Sequence, residues 1–272
     1  MSIKIATWNI NSVRLRQQLV VDYLSEDKPD VLCLQEIKCL TEQFPAQTFI
    51  DAGYPHIEVS GQKAYHGAAT ISKIPLERIE STFCPLGHAR HVSTRVMTPD
   101  PFELHNFYVP AGGDIADPVV NPKFQHKLDF LAAMHVYFKE RFAAGDAGQV
   151  VVGDMNIAPH ENDVWSHKKL LKVVSHTPQE VDILENLIAT HDFTDCSRLF
   201  ADDADKLYSW WSYRAKDVLA SNKGRRLDHI WISPKLKPAA EKAGATGHEI
   251  LTHWRTKTKP SDHVPMTQVL DL

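Results

Sequence analysis

The stretch Gln149-Val150-Val151-Val152-Gly153-Asp154-Met155-Asn156 decides how this chain is read. Its β-branched run marks a buried strand, and the run stops at a glycine followed closely by two polar side chains. Asp154 and Asn156 are two residues apart, so continued extended geometry points both to one side. A carboxylate and an amide delivered together at a strand end suit a hard cation with a phosphate beside it. Taken alone, Gly-Asp-x-Asn is more often an Asx turn closing a strand. The same pattern of strand followed by carboxylate or amide recurs four more times, and that recurrence favours a site.

Outward from this stretch, strand-like apolar runs lie near 3–9, 30–35, 67–73, 91–97, 102–109, 227–233 and 265–271, in addition to 149–153. The runs at 91–97 and 102–107 alternate, which predicts antiparallel pairing with one polar face. Helical spacing is clearest at 122–143, where Phe124, Leu128, Leu131, Ala132, His135 and Phe138 recur at three- and four-residue intervals. Shorter helices are predicted at 13–26, entered from Asn11-Ser12, and at 178–190, where Thr177-Pro178 supplies a cap and an N1 proline. No internal repeat, low-complexity tract or long linker divides the sequence. Candidate site residues run from position 9 to position 263, so the economical expectation is one domain spanning 1–272. Mixed sheets packed together with helices outside give an α/β layered sandwich.

Composition bounds the function. With 43% hydrophobic and 24% charged residues, this is an ordinary globular chain. No apolar run approaches the roughly 18 residues of a membrane span. The start, Met1-Ser2-Ile3-Lys4-Ile5-Ala6-Thr7-Trp8, enters a strand at once and lacks the layout of a signal peptide. Cys33, Cys39, Cys84 and Cys196 form no Cys-x-x-Cys pair, which favours reduced thiols and a cytoplasmic protein. The net charge of −4 counts mildly against a nucleic-acid partner. Its distribution does not, because bases cluster at Lys168, Lys169 and Lys172, at Arg214, Lys216, Lys223, Arg225 and Arg226, and at Arg255, Lys257 and Lys259. Such clusters are usually solvated faces. Three of them near candidate site residues are also the makings of a phosphate-tracking rim.

The candidates form a series. Asn9 follows the strand Ile3–Thr7, and Gln35-Glu36 ends a buried-looking strand where an oxygen ligand for Mg²⁺ is expected. Asp154 and Asn156 come next. Asp228 lies within an alternating apolar strand, where an unpaired carboxylate is costly to bury, so it needs a partner. The natural one is a histidine, and Ser261-Asp262-His263 supplies it just before the last strand. A histidine oriented by one aspartate and adjacent to another is a familiar acid/base arrangement. For that pair alone, a histidine that merely satisfies a buried aspartate is equally good.

Together these residues resemble the exonuclease III family of DNA repair nucleases, within the endonuclease/exonuclease/phosphatase superfamily. The resemblance spans essentially the whole chain. Its motifs appear in family order: Trp8-Asn9-Ile10-Asn11, Leu34-Gln35-Glu36, Tyr108-Val109-Pro110, Gly153-Asp154-Met155-Asn156, Ser209-Trp210-Trp211, Arg226-Leu227-Asp228 and Ser261-Asp262-His263. Each motif is weak alone; seven in order are specific. The resemblance implies a four-layer α/β/β/α sandwich with two mixed β-sheets and a site at one end between them. It also implies a Mg²⁺- or Mn²⁺-dependent phosphodiesterase. Glu36 is implied as principal metal ligand, with Asn9 and Asp262 nearby and Asp154 and Asn156 counted in the metal set. Asp154 is implied to orient or deprotonate the attacking water, Asn156 to support the phosphate, and Tyr108 to be the family's active-site tyrosine. Asp228 is implied to hold His263, whose imidazolium stabilises the pentacovalent phosphate.

The implied partner is double-stranded DNA with 3′ ends, nicks or abasic sites, and the implied state a monomer. The implied activities are 3′→5′ exonuclease, 3′-phosphatase and abasic-site incision, in base excision repair. Trp210 and Leu227 match the apolar lining for an extruded sugar, whereas Arg225 stands where an aromatic or aliphatic residue is common. A guanidinium there either pairs a phosphate or narrows the pocket. The segment Asp163–Lys169 corresponds to a DNA-contacting loop and looks like that of bacterial homologues favouring 3′-end trimming. Its His167, beside Lys168, is a candidate block to an intact strand, or else an ordinary surface histidine. Rivals are an enzyme with little abasic-site incision, a phospholipid or inositol-phosphate phosphodiesterase, and a non-catalytic DNA-binding relative. The tryptophans and basic loops favour a nucleic-acid polymer. The presence of Glu36, Asp154, Asp228 and His263 disfavours a non-catalytic relative.

Overall fold

The computed structural model describes residues 1–80, 84–145, 147–214 and 217–272. With strands numbered in chain order, one sheet runs from edge to edge through β13 (His248–Ile250), β14 (Met266–Asp271), β1 (Ser2–Asn9), β2 (Val31–Gln35), β4 (Ala68–Ser72) and β3 (His56–Ser60). The other runs through β5 (Leu76–Ile79), β6 (His91–Val96), β7 (Phe102–Tyr108), β8 (Gly148–Asp154), β12 (Asp228–Ile232) and β9 (Thr194–Asp195). Both sheets are mixed: β1–β2 and β7–β8 are parallel, and their other pairs are antiparallel. A small ladder, β10 (Trp210–Trp211) with β11 (Gly224–Arg225), stands apart.

Side-chain alternation explains the layering. On β1, Ile3 and Ile5 join Val31, Cys33, Leu104, Val150, Val152, Ile230 and Ile232 in the core between the sheets. Ala6 and Trp8 of β1 instead pack with Leu19, Val20, Tyr23 and Leu24 of the helix Gln17–Glu26. Val151 and Trp231 face outward from the second sheet onto Phe130, Leu131, Met134 and Phe138 of the helix Pro122–Ala144. The helix Pro178–Thr190 packs there too, through Leu184 and Leu187. The result is the four-layer α/β/β/α sandwich, with apolar area removed from water in three slabs.

Two local expectations are corrected. The first helix begins at Gln17 rather than 13, because Asn11 (φ 48°) and Ser12 (φ 86°) both adopt left-handed backbone, which ends the strand but starts no helix. Apart from the exposed Arg95, the polar sides of β6 and β7 are not solvated. Beneath the long helix, His105 contacts Ser93 Oγ at 2.9 Å and Gln149 Oε1 at 2.6 Å, and Gln149 donates to Glu103. Glu103 in turn holds Arg141. Alternation reported the change of face correctly, but not that the second face is buried and internally hydrogen-bonded.

Register then concentrates the site. Tyr108 pairs with Asp154 across β7–β8, and Asp154 with Asp228 across β8–β12. In the facing sheet Asn9 pairs with Gln35, leaving Glu36 one step beyond. All of these lie at the same end of the sandwich.

Candidate active site

Glu36 leaves β2 with φ 54°, a left-handed turn that swings its carboxylate over the end of the sheet. Its Oε2 accepts from Asn9 Nδ2 at 3.0 Å, and its Oε1 lies 2.7 Å from Lys38 Nζ. The Tyr108 hydroxyl also hydrogen-bonds to it. Burial and then the charges of Glu36 and Asp154 hold that phenol well above its usual range, so it stays protonated and donates. Asn9 Nδ2 also donates to Asp154 Oδ2 at 2.8 Å, while its Oδ1 accepts the Asn11 N–H. Asn9 therefore turns nitrogen, not oxygen, towards both carboxylates. One amide joins the ends of the two sheets.

At the end of β8 the Asx turn and the site coexist. Asn156 (φ 53°) abandons extended geometry, and its N–H folds back onto Asp154 Oδ1 at 2.9 Å. Its Nδ2 donates to Val109 O at 2.9 Å and to Asp154 Oδ2 at 3.1 Å. Asp154 thus reaches Asn156 through the turn rather than through strand alternation. Burial, followed by the charge of Asp228, raises its carboxyl to about 7, against the lowering influence of His263, Asn9 and Asn156.

Asp228 accepts at Oδ2 from Ser209 Oγ at 2.6 Å and contacts His263 Nδ1 at 2.7 Å. His263 Nε2 lies 3.7 Å from Asp154 Oδ2. Burial alone disfavours the imidazolium, yet Asp228 and then Asp154 outweigh it and push His263 up to about 10. The sequence-predicted Asp–His partnership is present as drawn. Its segment is tied to β1 by Trp8 Nε1 donating to His263 O at 3.0 Å and Ser261 Oγ to Asn9 O at 2.6 Å.

Asp262 accepts from Asn11 Nδ2 at 2.9 Å and Trp210 Nε1 at 3.0 Å; despite burial, nearby His263 and these two donors hold its carboxyl below the usual range. Leu227 is buried in a small apolar cluster with Ala158, Val164 and Leu170, flanked by Trp165 and Trp210. The Arg225 guanidinium lies 5.4 Å from the Trp210 ring centroid and donates to Val174 O and to Ser175 Oγ at 2.6 Å. It is a tethered wall beside Trp210. His167 and Lys168 are exposed, and His167 Nδ1 contacts His176 Nε2 at 2.9 Å.

The basic rim needs correction. Arg226 is fully buried between Asp163 and Asp195, and Arg255 is buried with its Nη2 donating to Trp211 O. Charge runs in sequence do not reveal which members are neutralised internally. Lys168, Lys169 and Lys172 remain exposed, Lys223 and Lys169 flank the Trp165 ring, and Lys216 lies outside the described residues.

Several residues at the site carried no sequence signal. Lys38 Nζ contacts Glu36 and donates to Asn11 Oδ1 at 2.6 Å, so Lys38 and Asn11 link Glu36 to Asp262. Arg90 donates to Tyr108 O at 3.1 Å, faces His66 Nδ1 at 2.8 Å and lies 4.8 Å from the Tyr108 ring. Fully buried Lys127 donates to Asn156 O at 2.8 Å and pairs with Glu180. Asn11 sat inside a quoted motif, and its strand-end position was the available clue.

Glu36, Asp154 and Asp262, interlinked by amides, form an oxygen-rich donor set suited to a hard divalent cation. Among the described residues, Asp154, Asp228 and His263 bring one ligand atom each within 4.8 Å of one another. The His263 Nδ1–Asp228 hydrogen bond already uses two of their atoms, so the chemistry fits a cation best on the Glu36 side.

Residues 6–263 match the Endonuclease/Exonuclease/phosphatase family. The chain is 30% identical to exodeoxyribonuclease III of Haemophilus influenzae, over 97% of this chain and 98% of that protein. Among solved structures it is similar to an AP endonuclease from Archaeoglobus fulgidus, with TM-score 0.86 and 30% identity over 99% of this chain and 100% of that one. It is also similar to the 3′ phosphatase NExo from Neisseria bound to a product DNA hairpin, with TM-score 0.85 and 27% identity over 99% and 100% of the two chains.

Proposed function

This chain belongs to the endonuclease/exonuclease/phosphatase family, and from that membership we infer a DNA repair nuclease that hydrolyses phosphodiester bonds. The family depends on divalent metal. We propose duplex DNA with 3′ ends, nicks or abasic sites as substrate, with 3′→5′ exonuclease, 3′-phosphatase and abasic-site endonuclease activities. We also propose Mg²⁺, or Mn²⁺, as the ion. Free cysteines favour a cytoplasmic protein, and site residues drawn from both halves of the chain favour a single domain, which we take to act as a monomer. No helix among the described residues is long and apolar enough to cross a membrane.

One observation carries this reading: Asp154 Oδ2 is the meeting point of Asn9, Asn156 and His263, three groups from both sheets. Hydrolysis needs a water aligned opposite the leaving 3′-oxygen and neutralisation of charge on the non-bridging oxygens. Asp154 takes the water's proton as the oxygen attacks phosphorus and the bond to the 3′-oxygen breaks, the departing 3′-oxygen taking a proton from solvent to leave as a hydroxyl. A carboxyl raised to about 7 is matched to that task at neutral pH. His263, held protonated by Asp228 and Asp154, faces the phosphate with positive charge. Glu36 and Asp262 would hold the cation, which supplies further charge neutralisation when bound. Asn9 orients Glu36 and Asp154 together, and Tyr108 fixes Glu36 through its hydroxyl. Trp210, Leu227 and Arg225 would wall the sugar beyond the scissile phosphate, with Lys168 and His167 on the approaching strand.

The test is a panel with Mg²⁺ on a recessed 3′ end, a 3′-phosphate and an internal abasic site, alongside inositol phosphates. Chelation should abolish the DNA activities and Mg²⁺ should restore them. Hydrolysis confined to inositol phosphates would overturn the proposal. Glu36→Ala and Asp154→Asn should each lose activity on all DNA substrates together.

A further inference from the structure

His167 is exposed, and an exposed side chain is a poor barrier because its rotamers give way at little cost. What fixes it is a second histidine. His176 is 2% exposed, and its Nδ1 lies 2.6 Å from Ala158 O. A carbonyl oxygen only accepts, so His176 Nδ1 carries the hydrogen. Burial holds His176 neutral by lowering its tendency to protonate. Its Nε2 therefore has a lone pair and accepts Nδ1–H from His167 at 2.9 Å, the two rings meeting edge to face at 5.1 Å.

His176 itself is rigidly mounted. It sits in the turn 173–177, where both oxygens of Glu180 accept Ser175 N–H at 3.0 Å and the turn returns Ser175 O to Ala158 N–H at 2.8 Å. The same turn holds Arg225 through Val174 O and Ser175 Oγ. One buried turn thus fixes both Arg225, which lies against Trp210, and His167.

We propose that His176 is a specificity-determining positioning residue: by accepting the Nδ1 hydrogen of His167 it makes that ring a fixed wall and sets the preference for a 3′ terminus over an internal phosphodiester. The inference rests on the reading of His167 as a block to the continuing strand. Without His176, His167 stays in place in sequence but loses its fixed orientation.

The measurement is the ratio of kcat/KM on an internal abasic site to that on a recessed 3′ end. It is made for wild type, His167→Gly, His176→Phe, His176→Gln and His167→Gly/His176→Phe. Phenylalanine keeps the buried volume but neither hydrogen bond; glutamine can still donate to Ala158 O and accept from His167. We expect His176→Phe to raise the ratio about five- to tenfold, the discrimination that one hydrogen bond typically carries. His176→Gln should retain the wild-type ratio, and the double variant should match His167→Gly. Nitrogen NMR of the imidazoles should report a protonated Nδ1 on His167 that is lost in His176→Phe. A shifted ratio in His167→Gly with none in His176→Phe overturns the role of His176 but leaves the block intact. An unchanged ratio in His167→Gly overturns both. Should the phenylalanine variant not fold, loss of the wild-type ratio in folded His176→Gln, with the His167 Nδ1 signal unchanged, also overturns it.

Discussion

Asp154 sits 3.7 Å from a histidine raised to about 10 and is itself raised to about 7, so near neutral pH the carboxyl titrates while the imidazolium stays charged. The carboxylate is the basic form, so activity should rise with pH along an acid limb at or below about 7, since a bound cation lowers it. The imidazolium is the useful form of His263, so activity should fall along an alkaline limb towards about 10. A pH profile of kcat at saturating Mg²⁺ checks both. Asp154→Asn is expected to lower kcat on a recessed 3′ end by about 10²–10⁴-fold with KM little changed. Asp228→Asn removes the strongest charge holding the imidazolium, so its alkaline limb should move to lower pH. Asp154, Asp228 and His263 were each legible in the sequence because strand ends and one buried carboxylate advertise them. Lys38 and Arg90 were not, because an ordinary base in a loop carries no mark of what it will face.

At the scale of elements, the end of β8 depends on backbone geometry that motif reading treats as incidental. Gly153 has φ 139°, and a Cβ there would stand 1.9 Å from Phe107 O on the neighbouring strand. Gly153→Ala is therefore expected to destabilise the fold by at least about 3 kcal/mol, read from urea melts. The next turn is held from below by Lys127, whose ammonium meets Asn156 O and Glu180 with neither side chain exposed. Lys127→Met strips a buried charge from Glu180, and such losses cost about 3–5 kcal/mol. If the stabilised turn matters for chemistry, kcat of the folded variant should fall as well. The helix spacing at 122–143 and the cap at Thr177 were readable, and both elements formed within a residue or two of expectation. That Lys127 on the helix Pro122–Ala144 would seat Asn156 was not, since it depends on two layers meeting.

At the scale of the whole molecule, the polar face of the second sheet is a buried network rather than a solvated one. His105, fully buried and bonded to Ser93 and Gln149, is lowered to about 4 by burial. A histidine depressed in the folded state is protonated first in the unfolded chain, so its contribution is present above about 6.5 and is lost as pH falls towards 4. In thermal melts the His105 contribution should therefore be constant above about pH 6.5 and decline below it, read as the difference between wild type and a variant that cannot charge at this position. His105→Gln cannot charge; it should be about 1–3 kcal/mol less stable at neutral pH and have a shallower acid slope. An equal acid slope in the variant would assign the decline to other groups.

The sequence by itself determined the eight inner strands and the major helices, the layered class, and which polar residues stand at strand ends, because period, capping and burial cost are local properties; the edge strands β3, β5, β9 and β13 and the β10–β11 ladder were not read from it. Only the tertiary structure decided what those residues do to one another. Register set Tyr108, Asp154 and Asp228 side by side, Asn9 bridged two sheets, Arg226 and Arg255 were taken out of the basic rim, and His176 was brought under His167. Those outcomes depend on distances between segments remote in sequence, and no local pattern encodes a distance.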